Sequence, residues 1–306
     1  MPAGAGWPAP PSPNERKQAS VQFWVIQTLN SLALGGLLFL LSSGFSLIFG
    51  MMRIANLTHG ALFMLGAYIG VTVMRIIPSL ALAVVVAGLS VGIIGGLIER
   101  LILRRLSGNS QGQVLATLGL SFITADLCLV AWGGDPIPVP TPEALRDPVR
   151  LAGMAFPTYR LVVVGVAIVV GIALYWMMER TRLGAMIRAG VDDMNMARAV
   201  GIPVSKLFTS VFCLGAMLAG AGGIIGGPIL SAYPGLDAEM LPLALIVVIL
   251  GGVGSLIGAF VGSFVVGFVY TFGIALAPDF AYVILFLPMV FVIAFRPRGL
   301  FGRLTV

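Results

Sequence analysis

The only histidine of this 306-residue sequence, His59, stands in the stretch GMMRIANLTHGALFMLG (residues 50–66), where Arg53, Asn56 and Thr58 interrupt an otherwise apolar run. An ionisable side chain at membrane depth is by default a candidate for a proton relay or a solute contact. It equally suits a neutral imidazole that donates one hydrogen bond to a carbonyl freed by a helix break, where an unsatisfied group costs several kcal/mol. Asp126, in FITADLCLV, is a second acid within an apolar run. It could meet a charged ligand, hydrogen-bond across a helix contact, or reach an interface near Trp132, where an acid costs little. No Ser/His/Asp set can be assembled around a single histidine embedded in a membrane break, so no catalytic residue is assigned. Lys17 and Lys206 are the only lysines, and no G-x-x-x-x-G-K-[ST] loop occurs, so ATP chemistry would have to come from another chain. Cys128 and Cys213 lie in separate apolar runs without C-x-x-C spacing, which implies neither a metal site nor a disulfide framework.

The elements that must position these residues are membrane helices. Hydrophobic residues make up 58% of the chain, charged residues only 10%, and mean hydropathy is +1.04, far from the balance of a soluble domain. Apolar runs near the ~20-residue spanning length recur along the chain, which indicates an all-α, polytopic membrane protein and excludes the short alternating segments of a β-barrel. About eight hydrophobic elements are expected, at 21–42, 45–75, 79–98, 112–131, 161–178, 207–227, 241–277 and 281–295. Residues 1–20, rich in Pro, Ala and Gly and without a signal-peptide core, are expected to form a disordered tail. Residues 21–306 are expected to form a single transmembrane domain. The net charge of +6 does not point to nucleic acid, because the basic residues sit at the ends of apolar runs.

Two elements are interrupted. The first breaks around Arg53–Gly60; the second, 241–277, breaks at Gly251, Gly252, Gly254, Ser255 and Gly258. His59-Gly60-Ala61 parallels Ile257-Gly258-Ala259. Paired Gly-interrupted segments in two halves point to a transporter of internal repeats with its pathway at their interface. The alternative is that glycines merely end and restart helices at a membrane surface. Small residues recur every fourth position at Gly88, Gly92 and Gly96, and at Gly215, Ala219, Gly223 and Gly227, as close helix packing in lipid requires.

Basic clusters at Arg100/Arg104/Arg105, Arg180–Lys206 and Arg296/Arg298/Arg303 mark three segments as cytoplasmic, including the C-terminus. The segments 132–160 and 228–240 fit the outside, and the bookkeeping places the N-terminus outside as well. The loop 179–206 reads as ordered: Asp192 is expected to cap a short helix from Asp193, closed by Gly201 and Pro203, with Met194, Ala197 and Val200 on one side. Leu183–Ala189 would add a helical turn. Such an element suits docking into a partner's groove, or lying on anionic lipid.

The stretch from Arg182 to Gly201, RLGAMIRAGVDDMNMARAVG, resembles the cytoplasmic loop of the permeases of bacterial ABC importers for branched-chain amino acids. GMMRIANLTHGALFMLGAYIG is similar to that family's N-terminal motif and GGVGSLIGAFVG to its C-terminal glycine-rich motif. The resemblance implies a multi-pass subunit of the bacterial inner membrane that is not itself an enzyme. It would work with a second permease subunit, two cytoplasmic ATPases that carry ATP and Mg, and a periplasmic binding protein. On that likeness Arg182, Gly184, Arg188, Asp192, Asp193, Ala197 and Gly201 belong to the ATPase-coupling element. Asn56, Thr58, His59, Gly60, Gly252, Gly254, Ser255 and Gly258 belong to the translocation pathway. Leu57 stands where the family more often has an aromatic residue, which leaves urea or a short amide as alternatives to a hydrophobic amino acid. A self-sufficient secondary transporter coupled through His59 and Asp126 is the rival class.

Overall fold

Helices account for nearly all the secondary structure of the computed structural model, which describes residues 13–52, 56–151 and 154–302. Helix α1 (Pro13–Met52) begins well before Val21, within the segment expected as a tail; residues 1–12 and Arg53 lie outside the described residues. It also runs straight through Ser42 and Ser43, where a link between two spans was expected. Ser43 Oγ donates to the Leu40 carbonyl at 3.1 Å, so its hydroxyl is satisfied within the helix and breaks nothing.

The chain continues as α2 (Thr58–Ile76), α3 (Leu80–Leu101), α4 (Ser110–Trp132), a short antiparallel hairpin of β1 (Val149–Leu151) and β2 (Met154–Phe156), and α5 (Thr158–Arg180). The loop between membrane elements holds α6 (Arg182–Asp192) and α7 (Met194–Ala199). It is followed by α8 (Val204–Leu230), α9 (Leu236–Gly251), α10 (Leu256–Leu276) and α11 (Ala281–Phe295). Among the described residues seven helices are long and apolar enough to cross a membrane: α1 from Val21, α2, α3 with the turn after it, α4, α5, α8 and α10. The α9 and α11 helices are apolar but shorter. The protein is thus a polytopic all-α membrane protein in which α1 takes up the first expected span and the start of the second.

Helix α8 is the hub, packed against α1, α2 and α3. The small residues are what let backbones meet there. A β-carbon on Gly92 would lie 3.2 Å from the Cys213 carbonyl, one on Gly215 would lie 2.8 Å from the Gly44 carbonyl, and one on Gly223 would collide with the Phe63 carbonyl. Both glycine stripes expected from the sequence therefore serve helix contact. Tyr159 donates to the Ile225 carbonyl at 2.6 Å, tying α5 to the same hub.

The ends of the bundle sort by charge. At one end Arg104 donates to the Ser205 carbonyl at 2.9 Å, and the backbone of Leu300 donates to Leu250 at 2.9 Å. Phe301 shares a cavity with α6, so the described parts of all three basic segments gather there. Away from it, Ile137 and Ala232 exchange two backbone hydrogen bonds of 2.7 and 2.9 Å, joining the charge-balanced segment 132–160 to the segment 228–240, which has no basic residue.

Candidate functional site

The first break is buried inside the bundle. Asn56, Thr58 and His59 are at most 3% exposed. Asn56 Oδ1 accepts from the Thr58 backbone at 3.2 Å, replacing a side-chain cap that Leu57 cannot supply. Thr58 Oγ1 donates to the Thr117 carbonyl of α4 at 2.8 Å, and His59 Nε2 lies 3.0 Å from the Leu41 carbonyl of α1. That carbonyl is in the interior of α1, about 16 Å from the helix end at 1.5 Å per residue, so α2 starts at depth and not at a surface. The freed carbonyl expected as the partner of His59 is instead a helical one. A β-carbon on Gly60 would lie 2.7 Å from the Asp237 carbonyl of α9, which fixes how closely α2 and α9 approach. These four residues bolt three helices to the break.

The second break is built differently. Gly252 (φ 102°) and Gly254 (φ 74°) adopt left-handed backbone conformations, and a β-carbon on Gly252 would lie 2.6 Å from the Gly302 nitrogen. Ser255 then restarts the chain as α10, its hydroxyl accepting from Gly258 N at 3.0 Å. Gly60 and Gly258 each stand third in their helices, and each is met by the backbone of α9. Val253 is 46% exposed, however, so this break lies at the surface of the bundle. Gly50 of α1 touches Gly254: a β-carbon on it would lie 2.7 Å from the Gly254 Cα. The two interrupted elements therefore meet, α1 against α10 and α2 against α9.

A cavity of about 430 Å³ opens at this meeting point, lined by Ser46 and Gly50 of α1, Tyr175 and Glu179 of α5, Arg188 and Asp192 of α6, and Gly254 and Ser255 of the break. Helix α6 and the second break thus share a wall.

Helix α6 leaves α5 at a sharp corner. Thr181 Oγ1 accepts from Gly184 N at 3.2 Å, and a β-carbon on Gly184 would collide with the Met177 and Met178 carbonyls. Arg188 reaches back to donate to the Met178 carbonyl and lies 3.7 Å from Glu179. Arg182 is exposed. Asp193, not Asp192, caps the following helix, accepting from Asn195 N at 2.8 Å and Met196 N at 3.0 Å; Asp192 ends α6. The helix starts one residue later than expected because only Asp193 is extended enough to aim its carboxylate at those amides. Ala197 packs inward while Val200 and Met196 point outward, so the apolar face expected from Met194, Ala197 and Val200 is split. Gly201 (φ 86°) turns the chain toward α8.

One buried group escaped the sequence reading. The Glu99 side chain is 3% exposed at the end of α3, paired with Arg104 at 2.8 Å and accepting from Thr209 Oγ1 of α8 at 2.8 Å. Its only signal was a lone acid inside a basic cluster. Asp126 lies on the exposed side of α4, away from both breaks.

Residues 27–293 match the family model of the branched-chain amino acid transport system permease component, and the chain belongs to that family. The high-affinity branched-chain amino acid transport system permease protein BraD of Pseudomonas aeruginosa is 26% identical over 92% of this chain and 97% of its own length. The corresponding LivH protein of Escherichia coli K12 is 24% identical over 92% of this chain and 96% of its own. A probable LivH permease of Methanocaldococcus jannaschii is 28% identical over 72% and 73%.

Proposed function

We propose that this chain is the permease subunit of an ATP-driven importer that moves a branched-chain or other small hydrophobic amino acid across the inner membrane. ATP and Mg are bound and hydrolysed by a separate ATPase subunit that docks on the α6–α7 element, and a binding protein delivers substrate to the opposite face. The gathering of the basic segments at one end supports a cytoplasmic location for α6, α7 and the C-terminus.

The observation that carries this reading is the shared wall between α6 and the second break. A push on α6 bears on α1 and α8, which it contacts, and α1 abuts Gly254 through Gly50, while Arg188 and Asp192 line the same cavity as Gly254 and Ser255. A nucleotide-driven movement outside the membrane thereby reaches two membrane helices at once. The buried first break acts as the fixed anchor of α1, α2 and α4. Its histidine spends one ring nitrogen on a helical carbonyl, a holding role, and an ATP-driven importer requires no proton coupling.

The test is association. Met196→Glu combined with Val200→Glu places two carboxylates on the outward side of α7 without touching its buried Ala197. Loss of the ATPase from the purified complex, with the permease still folded, is the expected result. Undiminished association and uptake would refute docking on this element.

A further inference from the structure

We infer that Asp126 faces a water-filled passage between this chain and a second permease subunit, and that its carboxylate pairs there with the ammonium group of the amino acid in transit. The inference rests on the permease reading above and adds to it a substrate-contact residue and the wall that carries it.

Asp126 is exposed on α4, and among the described residues it has no hydrogen-bond or ion-pair partner. It stands six residues before Trp132, about 9 Å along the helix from that end. An aspartate side chain is too short to snorkel over such a distance, unlike a lysine or arginine. Left against lipid tails the carboxylate would be strongly disfavoured, so this face must meet water or protein.

The outward faces of two other helices sharpen the contrast. The outward side of α3 carries Val85, Leu89 and Ile93, and that of α5 carries Ile168, Val169 and Ile172, all suited to lipid. The acidic and basic residues of the other spanning helices lie near their ends or, like Glu99, are buried and paired.

On α4 the acid is set among Phe122, Ile123, Leu127 and Val130, with Gly119 leaving open space one turn below Phe122. An apolar wall with one carboxylate and a recess complements a solute that has an apolar side chain and an ammonium group. An exposed ion pair is weak, which suits a contact that must let the solute go. Helix α4 is also bound to the first break through Thr58 and Thr117, and at its other end Trp132 Nε1 donates to Thr72 Oγ1 at 2.8 Å. The wall is therefore fixed to α2.

The experiment uses the complete transporter with its second permease, ATPases and binding protein in lipid vesicles. Asp126→Cys and Val169→Cys are treated with a cationic, membrane-impermeant methanethiosulfonate, with the unsubstituted chain as background for Cys128 and Cys213. Asp126→Cys should react at least about tenfold faster than Val169→Cys, as a water-facing site does relative to a lipid-facing one. Leucine uptake should fall about tenfold in Asp126→Asn and recover most of the way in Asp126→Glu, with ATPase association unchanged in both. Equal, slow labelling at the two positions would overturn the passage. Labelling without an uptake defect in Asp126→Asn would overturn the ammonium contact. Neither result bears on ATPase docking or on ATP-driven uptake by the unsubstituted complex, whose failure would instead sink the permease reading.

Discussion

Gly184 and His59 show how two residues of the motif-bearing stretches act through geometry. The carbonyls facing Gly184 belong to backbone and cannot rotate away, so Gly184→Ala must open the α5–α6 corner. The strain should cost about 1–3 kcal/mol, read as a lower thermal midpoint in detergent together with weaker retention of the ATPase. His59 has a holding role: one ring nitrogen meets the Leu41 carbonyl, and the ring lies 5.3 Å from that of Phe45. His59→Gln keeps a donor, so uptake should stay within about twofold and stability within about 1 kcal/mol. Abolished uptake in a correctly folded His59→Gln complex would restore the proton-relay role weighed from the sequence.

At the scale of elements, the Glu99–Arg104–Thr209 cluster clamps the end of α3 to the start of α8, just after the α6–α7 loop. Its two partners are not equivalent. Arg104 retains 35% side-chain exposure and can turn to solvent, while Glu99 is almost fully enclosed. Arg104→Ala, which strands the carboxylate, should therefore destabilise by about 3 kcal/mol or more, and Glu99→Gln by distinctly less. Chemical denaturation of the two variants in the same micelles checks that order.

Helix positions were legible because hydropathy and glycine spacing set them locally. The glycine stripes announced close helix packing but not the partners: that of α3 meets α8, while Gly215 and Gly223 of α8 meet α1 and α2. The basic clusters announced which loops would converge. Three features were not legible. Ser42 and Ser43 resemble a link until the helix is seen to run through them, with the Ser43 hydroxyl closing on the Leu40 carbonyl. Asp192 and Asp193 are equivalent in sequence, and only backbone direction selects the cap. The depth of the first break depends on Leu41, Thr117 and Asp237, which are distant in sequence, so no local pattern separates it from the surface break at Gly252–Ser255.

For the whole molecule, the central claim is that force applied at α6 and α7 reaches the membrane helices by way of α1 and the break at Gly254, driven by ATP hydrolysed elsewhere. Packing supports a lever: α6 packs on α1 beside Met51, α1 abuts the second break through Gly50, and α1 is bolted to α2 by His59. Filling the contact should jam it. Gly50→Leu is expected to preserve ATPase association while reducing uptake by about tenfold or more, because a side chain there has backbone as its neighbour.

The most direct measurement is radiolabelled leucine uptake into vesicles that hold this chain with its second permease, ATPases and binding protein. The account predicts accumulation that requires ATP inside the compartment bearing α6 and α7 and that survives collapse of the proton gradient. Accumulation by this chain alone, driven by a proton gradient without ATP, would contradict it.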